Sequence, residues 1–317
     1  MDGPTRQIDG LLALVEAVIC LANRSGVEPG WLLVGVEDDG RITGSRSSPP
    51  CAAYVHGYHP RENTRLQDQA STLEELLHSD THFPPGSRIL EAGCGVGAQT
   101  VPLARNSPHS LITAVDISEA SADKARRKVA AAGLTNVQVL QGDIFNLPFQ
   151  KGSFDHLFIC FVLEHLSRPV EALSILMDFV KPGGTITAIE GDHGSAYFYP
   201  DSEAAHRAIS CQVELQRRAG GNAMIGRALY PLLCQAGFSE VSVSPRMVYV
   251  DSSKPELVEG FTRRTFTAMI EGVRETAVEA GIIGMGDFEA GVRDLYRTTE
   301  EDGVFCYTFF KATGRKG

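Results

Sequence analysis

"ILEAGCGVGAQT", residues 89–100, is the stretch on which the fold turns. A short apolar run ends in an acid, Glu91, and three glycines follow at alternate positions: Gly93, Gly95 and Gly97. "RILEA" (88–92) reads as a strand, and the segment from Gly97 to Arg105 as a helix. Glycines at such a turn let the backbone approach a ligand without side chains in the way. Taken alone, Gly93-x-Gly95-x-x-Ala98 also satisfies the loose dinucleotide fingerprint, which is a weak signal. The surrounding chain has to say which ligand is meant.

Outward from that turn, strands and helices alternate. "LITAVDI" (111–117) is a strand, followed by a helix over 118–132. "VQVLQGD" (137–143) and "FDHLFICFV" (154–162) are strands, followed by a helix near 168–180. "GGTITAIEG" (183–191) is a strand, "IGRALYPLLCQAG" (225–237) a helix, and "VSVSPRMVYV" (241–250) and "GVFCYTFFKAT" (303–313) are the last two strands. Before the glycines, Leu66, Ala70, Leu73, Leu76 and Leu77 follow helical spacing, which predicts a helix over about 64–79. This alternation implies an α/β fold with a mostly parallel sheet, doubly wound, whose ligands bind at the carboxyl ends of the strands.

Acids sit at three successive strand ends. Glu91 precedes the glycines, Asp116 closes the second strand 19 residues past Gly97, and Asp143 closes the third. A carboxylate in the Asp116 position accepts hydrogen bonds from ribose hydroxyls, whichever nucleotide is bound. Asp143 suits an adenine amino group of a single adenosine. Glu91 suits a ligand carrying an ammonium and a sulfonium, and would repel a pyrophosphate. Singly, Asp116 or Asp143 reads as a cap or turn former. Together with the glycine turn they favour S-adenosylmethionine over a dinucleotide.

The ordered stretches "ILEAGCGVGAQT", "VDIS", "QGDIFNLPF", "FDHLFICFVLEHL" and "VKPGGTITAIEGD" resemble the motifs of class I S-adenosylmethionine-dependent methyltransferases, nearest to the group that modifies quinones and natural products. The resemblance covers roughly residues 64–250. It implies a Rossmann-like seven-stranded sheet with an antiparallel last strand. It also implies a cofactor held by the Gly93–Gly97 loop, by Asp116 on the ribose and Asp143 near the adenine, with backbone from Ile117, Ile144 and Phe161 completing the site. The aromatic Asn/Asp-Pro-Pro stretch of base- and amide-methylating relatives is replaced by "CFVLEH" (160–165), so methylation of those nitrogens is disfavoured. Glu164 and His165 are candidate general bases; the alternative is that Glu164 caps the next helix and His165 packs beneath the cofactor.

Two stretches exceed the minimal fold, about 191–225 and 251–302, and topology sends both to the cofactor side. A helix of 16 residues rises about 24 Å, which brings "YVHGYHPRE" (54–62) to the same edge. The expected substrate pocket is therefore apolar and aromatic. Tyr54 is its candidate catalytic residue, and Tyr58, Tyr197, Phe198, Tyr199 and Phe266 are its substrate contacts.

Composition limits the alternatives. The chain has 317 residues, 43% hydrophobic and 21% charged, enough for a well-filled core. The formal net charge is −10, and the longest basic cluster, Lys124 to Lys128, reads as a solvated helix face, so a nucleic-acid partner is disfavoured. Seven cysteines without a CxxC pair form neither a disulfide framework nor a zinc knuckle, and no metal site is expected. The run "LLALVEAVICLA" (11–22) carries Glu16 and is too short to span a bilayer. A cytoplasmic protein acting on a small molecule is expected, without membrane insertion, and a homo-oligomer is compatible with the sequence. Residues 1–53 read as an N-terminal appendage and linker, and 54–317 as the methyltransferase domain. Two other functions stay open: a non-catalytic partner protein of the same fold, and a nicotinamide oxidoreductase.

Overall fold

The structure is a computed structural model and describes residues 60–317. The expectations for 1–53, together with Tyr54 and Tyr58, lie outside the described residues. The first helix, α1, runs Pro60–His78, four residues earlier than its apolar spacing suggested. It starts on a proline, whose missing N–H costs nothing in the first turn.

The central elements follow the predicted alternation: β1 (Arg88–Ala92), α2 (Thr100–Asn106), β2 (Leu111–Asp116), α3 (Glu119–Ala131), β3 (Val137–Gln141), β4 (Phe154–Cys160), α4 (Pro169–Phe179) and β5 (Val180–Gly191). β1 to β5 are parallel, in the order β3-β2-β1-β4-β5. Alternate residues of these strands enter opposite layers. Ile89 and Phe158 pack with Leu73, Leu77 and Leu103 on one face, while Leu90, Leu157 and Ile159 pack with Leu173 and Leu176 on the other. Burial on both faces is what makes these strands near-continuous apolar runs.

Beyond β5 come a short strand β6 (Tyr197–Tyr199), α5 (Glu203–Arg218), α6 (Leu229–Ala236) and β7 (Ser239–Val250). Pro255–Leu257, the π-helical Val258–Thr267 and Ala268–Gly272 then run on as one helical stretch. Two helices, α7 (Arg274–Glu279) and α8 (Met285–Arg297), lead into the final strand β8 (Val304–Arg315). β8 is antiparallel to both β5 and β7, as expected of the last strand.

The sheet has eight strands rather than the expected seven. β5 covers β8 only from Phe309 to Arg315, so the start of the 12-residue β8 projects past the end of β5. β6 takes that open edge, with Tyr197 opposite Cys306 and Tyr199 opposite Val304. Backbone groups on such an edge need partners, and a three-residue strand supplies them. The two insertions therefore both begin at the carboxyl end of the parallel strands.

Candidate active site

The glycine turn is fixed by backbone hydrogen bonds. The N–H groups of Gly93 and Cys94 donate to the Val115 carbonyl at 2.8 and 2.9 Å, and Gly97 N–H donates to Cys94 at 2.9 Å. All three glycines have positive φ, but what surrounds them differs. A Cβ on Gly97 would lie 3.0 Å from Ala125 Cα of α3, so that glycine lets helix and loop close. A Cβ on Gly95 would meet nothing within 4 Å. Gly95 leaves the backbone bare toward open space.

Asp116 stands at the end of β2 and ties the turn together. Its carboxylate accepts from Gly95 N–H at 2.8 Å and from Ser118 N–H at 2.9 Å. Burial pushes its carboxyl upward, and the two N–H donors oppose that. Glu91 is 2% exposed and one of its oxygens, Oε2, has no hydrogen-bond partner. Burial, with the Asp116 charge adding to it, pushes the Glu91 carboxyl up to about 8. A buried carboxyl with a bare oxygen next to the glycine turn is one that a cationic group would satisfy. The ammonium and sulfonium of S-adenosylmethionine fit that requirement.

The other residues expected around a cofactor fall on the same edge. Asp143 follows β3, and its Oδ1 accepts from Phe145 N–H at 2.9 Å, the bond of an Asx turn. Ile117 is exposed, and Ile144 is buried. Phe161 follows β4 with φ +57°, a left-handed conformation rare for an aromatic residue. The segment after it is held from below by Glu190 of β5, whose Oε1 accepts from Val162 N–H at 3.0 Å and Leu163 N–H at 2.8 Å. Glu190 is fully buried, and burial followed by the nearby Glu164 charge raises its carboxyl far above the usual range.

Beside that edge opens a small chamber of about 60 Å³. Phe161 and the inserted Phe261 and Phe266 line it together with Tyr307 and Phe309 of β8. Neighbouring rings in this set have centroids 4.8–6.5 Å apart. Phe261 and Phe266 come from the π-helical segment, a feature frequent at functional sites. Polar groups also enter. Glu164 and His165 line the chamber from the turn Leu163–His165, with Glu164 Oε1 3.6 Å from His165 Nε2. Glu164 does not cap α4, which has no side-chain cap. Its carboxylate and carbonyl instead accept from Gln216 Nε2 of α5, at 3.1 and 3.0 Å. That contact joins the inserted helix to the end of β4.

Of the expected substrate contacts among the described residues, Phe266 lines the chamber and the other three do not. Strand alternation sends Tyr197 and Tyr199 outward, 68% and 59% exposed, and turns Phe198 between them into the core against Phe305 and His206. Sequence reasoning passed over Glu190, His193 and Tyr307. Glu190 and His193 belong to "IEGDHGS", which straddles the end of β5, and Asp116 and Asp143 likewise lie at or just past the ends of β2 and β3. Tyr307 lies in "FCYTF", where Phe305, Tyr307 and Phe309 recur at period two. Among the described residues no three His, Cys, Asp or Glu side chains are placed to hold a metal, and no helix is long and apolar enough to cross a membrane.

Comparison with known proteins bears on the same segment. Residues 89–184 match the family model of a methyltransferase domain. An uncharacterised 37.1 kDa transposon protein of Streptomyces fradiae is 32% identical over 208 residues, covering 65% of this chain and 59% of that protein. A demethylmenaquinone methyltransferase of Symbiobacterium thermophilum is 33% identical over 114 residues, covering 35% of this chain and 45% of that protein. The chain thus spans about half the length of these curated relatives. A solved S-adenosylmethionine-dependent methyltransferase from Aquifex aeolicus superposes with a TM-score of 0.44 at 20% identity, covering 61% of this chain and 93% of that one. The glycine turn, the acids and the sheet order all lie within or beside residues 89–184, the segment that matches a methyltransferase domain.

Proposed function

We propose that the protein transfers a methyl group from S-adenosylmethionine to an apolar small molecule held in the aromatic chamber. The cofactor supplies the electrophile and the leaving group, so the protein's task is alignment. In this reading Glu91 meets the cofactor's ammonium, Gly95 leaves room for its methionyl end, Asp116 takes the ribose and Asp143 the adenine. Ile117, Ile144 and Phe161 border it. Tyr54 and Tyr58, assigned from the sequence, complete the substrate side. The protein acts in the cytoplasm, and its partner is the small molecule.

The observation that carries the reading is the ring of five aromatic side chains beside the glycine edge. It favours carbon methylation of a prenyl or terpenoid alkene of a secondary metabolite. An alkene attacks the sulfonium methyl without a base and leaves a carbocation. Ring faces stabilise such a cation by about 0.5–2 kcal/mol each, long enough for it to cyclise before losing a proton. The overall look of the sequence, including "YVHGYHPRE" (54–62), is similar to the actinobacterial teleocidin-pathway methyltransferase, which methylates a geranyl alkene and promotes ring closure. A second reading, O- or C-methylation of a phenol or quinone, is favoured by the Glu164–His165 pair in the same chamber.

The test is direct. The full chain is titrated with S-adenosylhomocysteine and with NADH, then incubated with methyl-labelled cofactor and a metabolite extract. Binding of the first alone and a labelled product 14 Da heavier than its precursor are expected. Nucleoside binding with no labelled product in any extract leaves a non-catalytic partner protein.

A further inference from the structure

The short stretch Phe161–His165 touches both halves of the site. Phe161, Glu164 and His165 line the chamber. Val162 meets the glycine turn instead. A Cβ on Gly93 would collide with Val162 Cγ2 and would lie 3.0 Å from its Cγ1. Glycine at 93 therefore lets Val162 come up against the turn. Where this stretch sits decides how far the cofactor edge stands from the chamber.

The stretch does not hold itself. Its only regular element is the single 3-10 turn Leu163–His165, which has no side-chain cap. Phe161 has φ +57°, a costly conformation for a non-glycine residue that persists only where its surroundings fix it. Those surroundings are the end of β5. The parallel pairing of β4 with β5 stops at Cys160 opposite Ile189. One further backbone bond follows, from Phe161 N–H to the Ile189 carbonyl at 2.9 Å. From there a side chain takes over. Glu190 Oε1 accepts from Val162 N–H at 3.0 Å and from Leu163 N–H at 2.8 Å. Glu190 is 0% exposed. An apolar residue would fill the same place without the cost of burying a carboxyl, but it would leave both N–H groups without an acceptor. Burial, with the Glu164 charge adding to it, raises the Glu190 carboxyl far above its usual range. The stretch thus needs an accepting oxygen rather than a charge.

We propose that Glu190 is a positioning residue for methyl transfer: by accepting from two consecutive N–H groups it locks Phe161–His165, so that Val162 seats the glycine turn while Glu164 and His165 keep their places in the chamber. This rests on the glycine edge being the cofactor site of the proposed methyltransferase. Glu190 acts through the backbone and not by touching cofactor or substrate. Its loss therefore reaches the cofactor through Val162.

The test uses the full chain, with S-adenosylhomocysteine affinity read by calorimetry and amide exchange read at Val162 and Leu163. Glu190→Leu removes the acceptor and should weaken S-adenosylhomocysteine about tenfold or more, with faster exchange at both amides. Glu190→Gln keeps an accepting oxygen without a charge and should stay within about threefold of the unchanged protein. Val162→Ala keeps the hydrogen bonds but loses the contact with the glycine turn, and should weaken binding severalfold. Combined with Glu190→Leu, it should add little further loss, because both changes act on one contact. If Glu190→Leu does not fold, the Val162→Ala and Glu190→Gln results decide. Three results overturn the proposal: a Glu190→Leu protein that melts earlier yet binds S-adenosylhomocysteine unchanged, a Glu190→Gln protein as weak as Glu190→Leu, or a Val162→Ala protein with full affinity. If the unchanged protein does not bind S-adenosylhomocysteine, the methyltransferase reading falls. The exchange rates then still show whether Glu190 locks the stretch: unaltered rates in Glu190→Leu refute it.

Discussion

The glycine edge and the aromatic chamber are neighbours built in opposite ways. The edge comes from one continuous run of the chain, 91–143, and is made of backbone N–H groups and carboxylates. The chamber draws on residues from Arg65 to Phe309, and its character lies in side chains. A common ligand can be met by backbone geometry, which constrains sequence to glycine and acid. An individual ligand is met by side-chain shape, which leaves no fixed spacing. The largest expected effect tests this contrast inside the edge itself. Gly97→Val places a side chain against the Ala125 backbone at φ +76° and should cost more than about 3 kcal/mol, seen as a fall in Tm or loss of soluble protein. Gly95→Val puts its Cβ where no atom lies within 4 Å, so beyond the backbone strain of about 1–3 kcal/mol that φ +53° imposes it should cost less stability than Gly97→Val while losing over about a hundredfold in S-adenosylhomocysteine affinity. Equal loss of stability in both would erase the distinction between packing glycine and ligand glycine.

Glu91 gives the next largest effect, and pH reveals it. Its carboxyl, pushed up to about 8 in the folded chain, returns to about 4.3 on unfolding. Between those values the folded state holds a proton that the unfolded state has released, so stability falls as pH rises through that window. The loss is on the order of 5 kcal/mol if no cation is bound. Glu91→Gln should flatten that slope and stabilise the free protein at pH 8, while weakening cofactor binding by about tenfold or more. Melting curves of both proteins from pH 5 to 8, with and without S-adenosylhomocysteine, check both halves. Parallel slopes would mean that Glu91 ionises freely and is not the ammonium's partner.

The same contrast explains how much could be read in advance. β1 was legible to the residue, because an apolar strand, an acid and a glycine turn each obey local rules. The strand ends bearing Asp116 and Asp143 followed from the same rules. The eighth strand was not legible: three residues carry no period, and their pairing depends on how far β8 overshoots β5. The reversal of Tyr197 and Tyr199 has the same origin, since one residue of register decides which face a strand residue takes. His193 and Tyr307 are 114 residues apart and meet only through the sheet. Composition could announce an aromatic pocket, but not which rings the folded chain would turn into it.

Asp116→Ala is expected to weaken cofactor binding by about 1.5–3 kcal/mol, read by calorimetry. Because Asp116 also accepts from Gly95 and Ser118 N–H groups, part of that loss should appear as a looser glycine turn. Faster amide exchange at Gly95 in the free variant would separate this from a lost ribose contact. A change under about twofold in affinity would remove Asp116 from the site. Next in size come the chamber's polar groups. On the alkene reading, Glu164→Gln and His165→Ala should each lower kcat by less than about tenfold, since no base is needed for attack, whereas Phe261→Leu or Phe266→Leu should cost more. If either polar variant abolishes turnover with cofactor affinity unchanged, the phenol or quinone reading replaces it.

The smallest effect belongs to the residues that strand alternation moved out of the chamber. Tyr197→Ala and Tyr199→Ala remove exposed rings from β6 that do not line the chamber. The pairing of β6 with β8 is a backbone matter and survives the change. Each variant should shift Tm by no more than about 2 °C, as exposed substitutions generally do. kcat/KM should change less than about twofold for each. Phe198→Ala, one residue away and buried against Phe305, is the internal control and should cost about 3–5 kcal/mol of stability. If Tyr197→Ala or Tyr199→Ala instead lowers kcat/KM tenfold with Tm unchanged, these rings reach the substrate in the working protein, and the chamber's wall extends over β6.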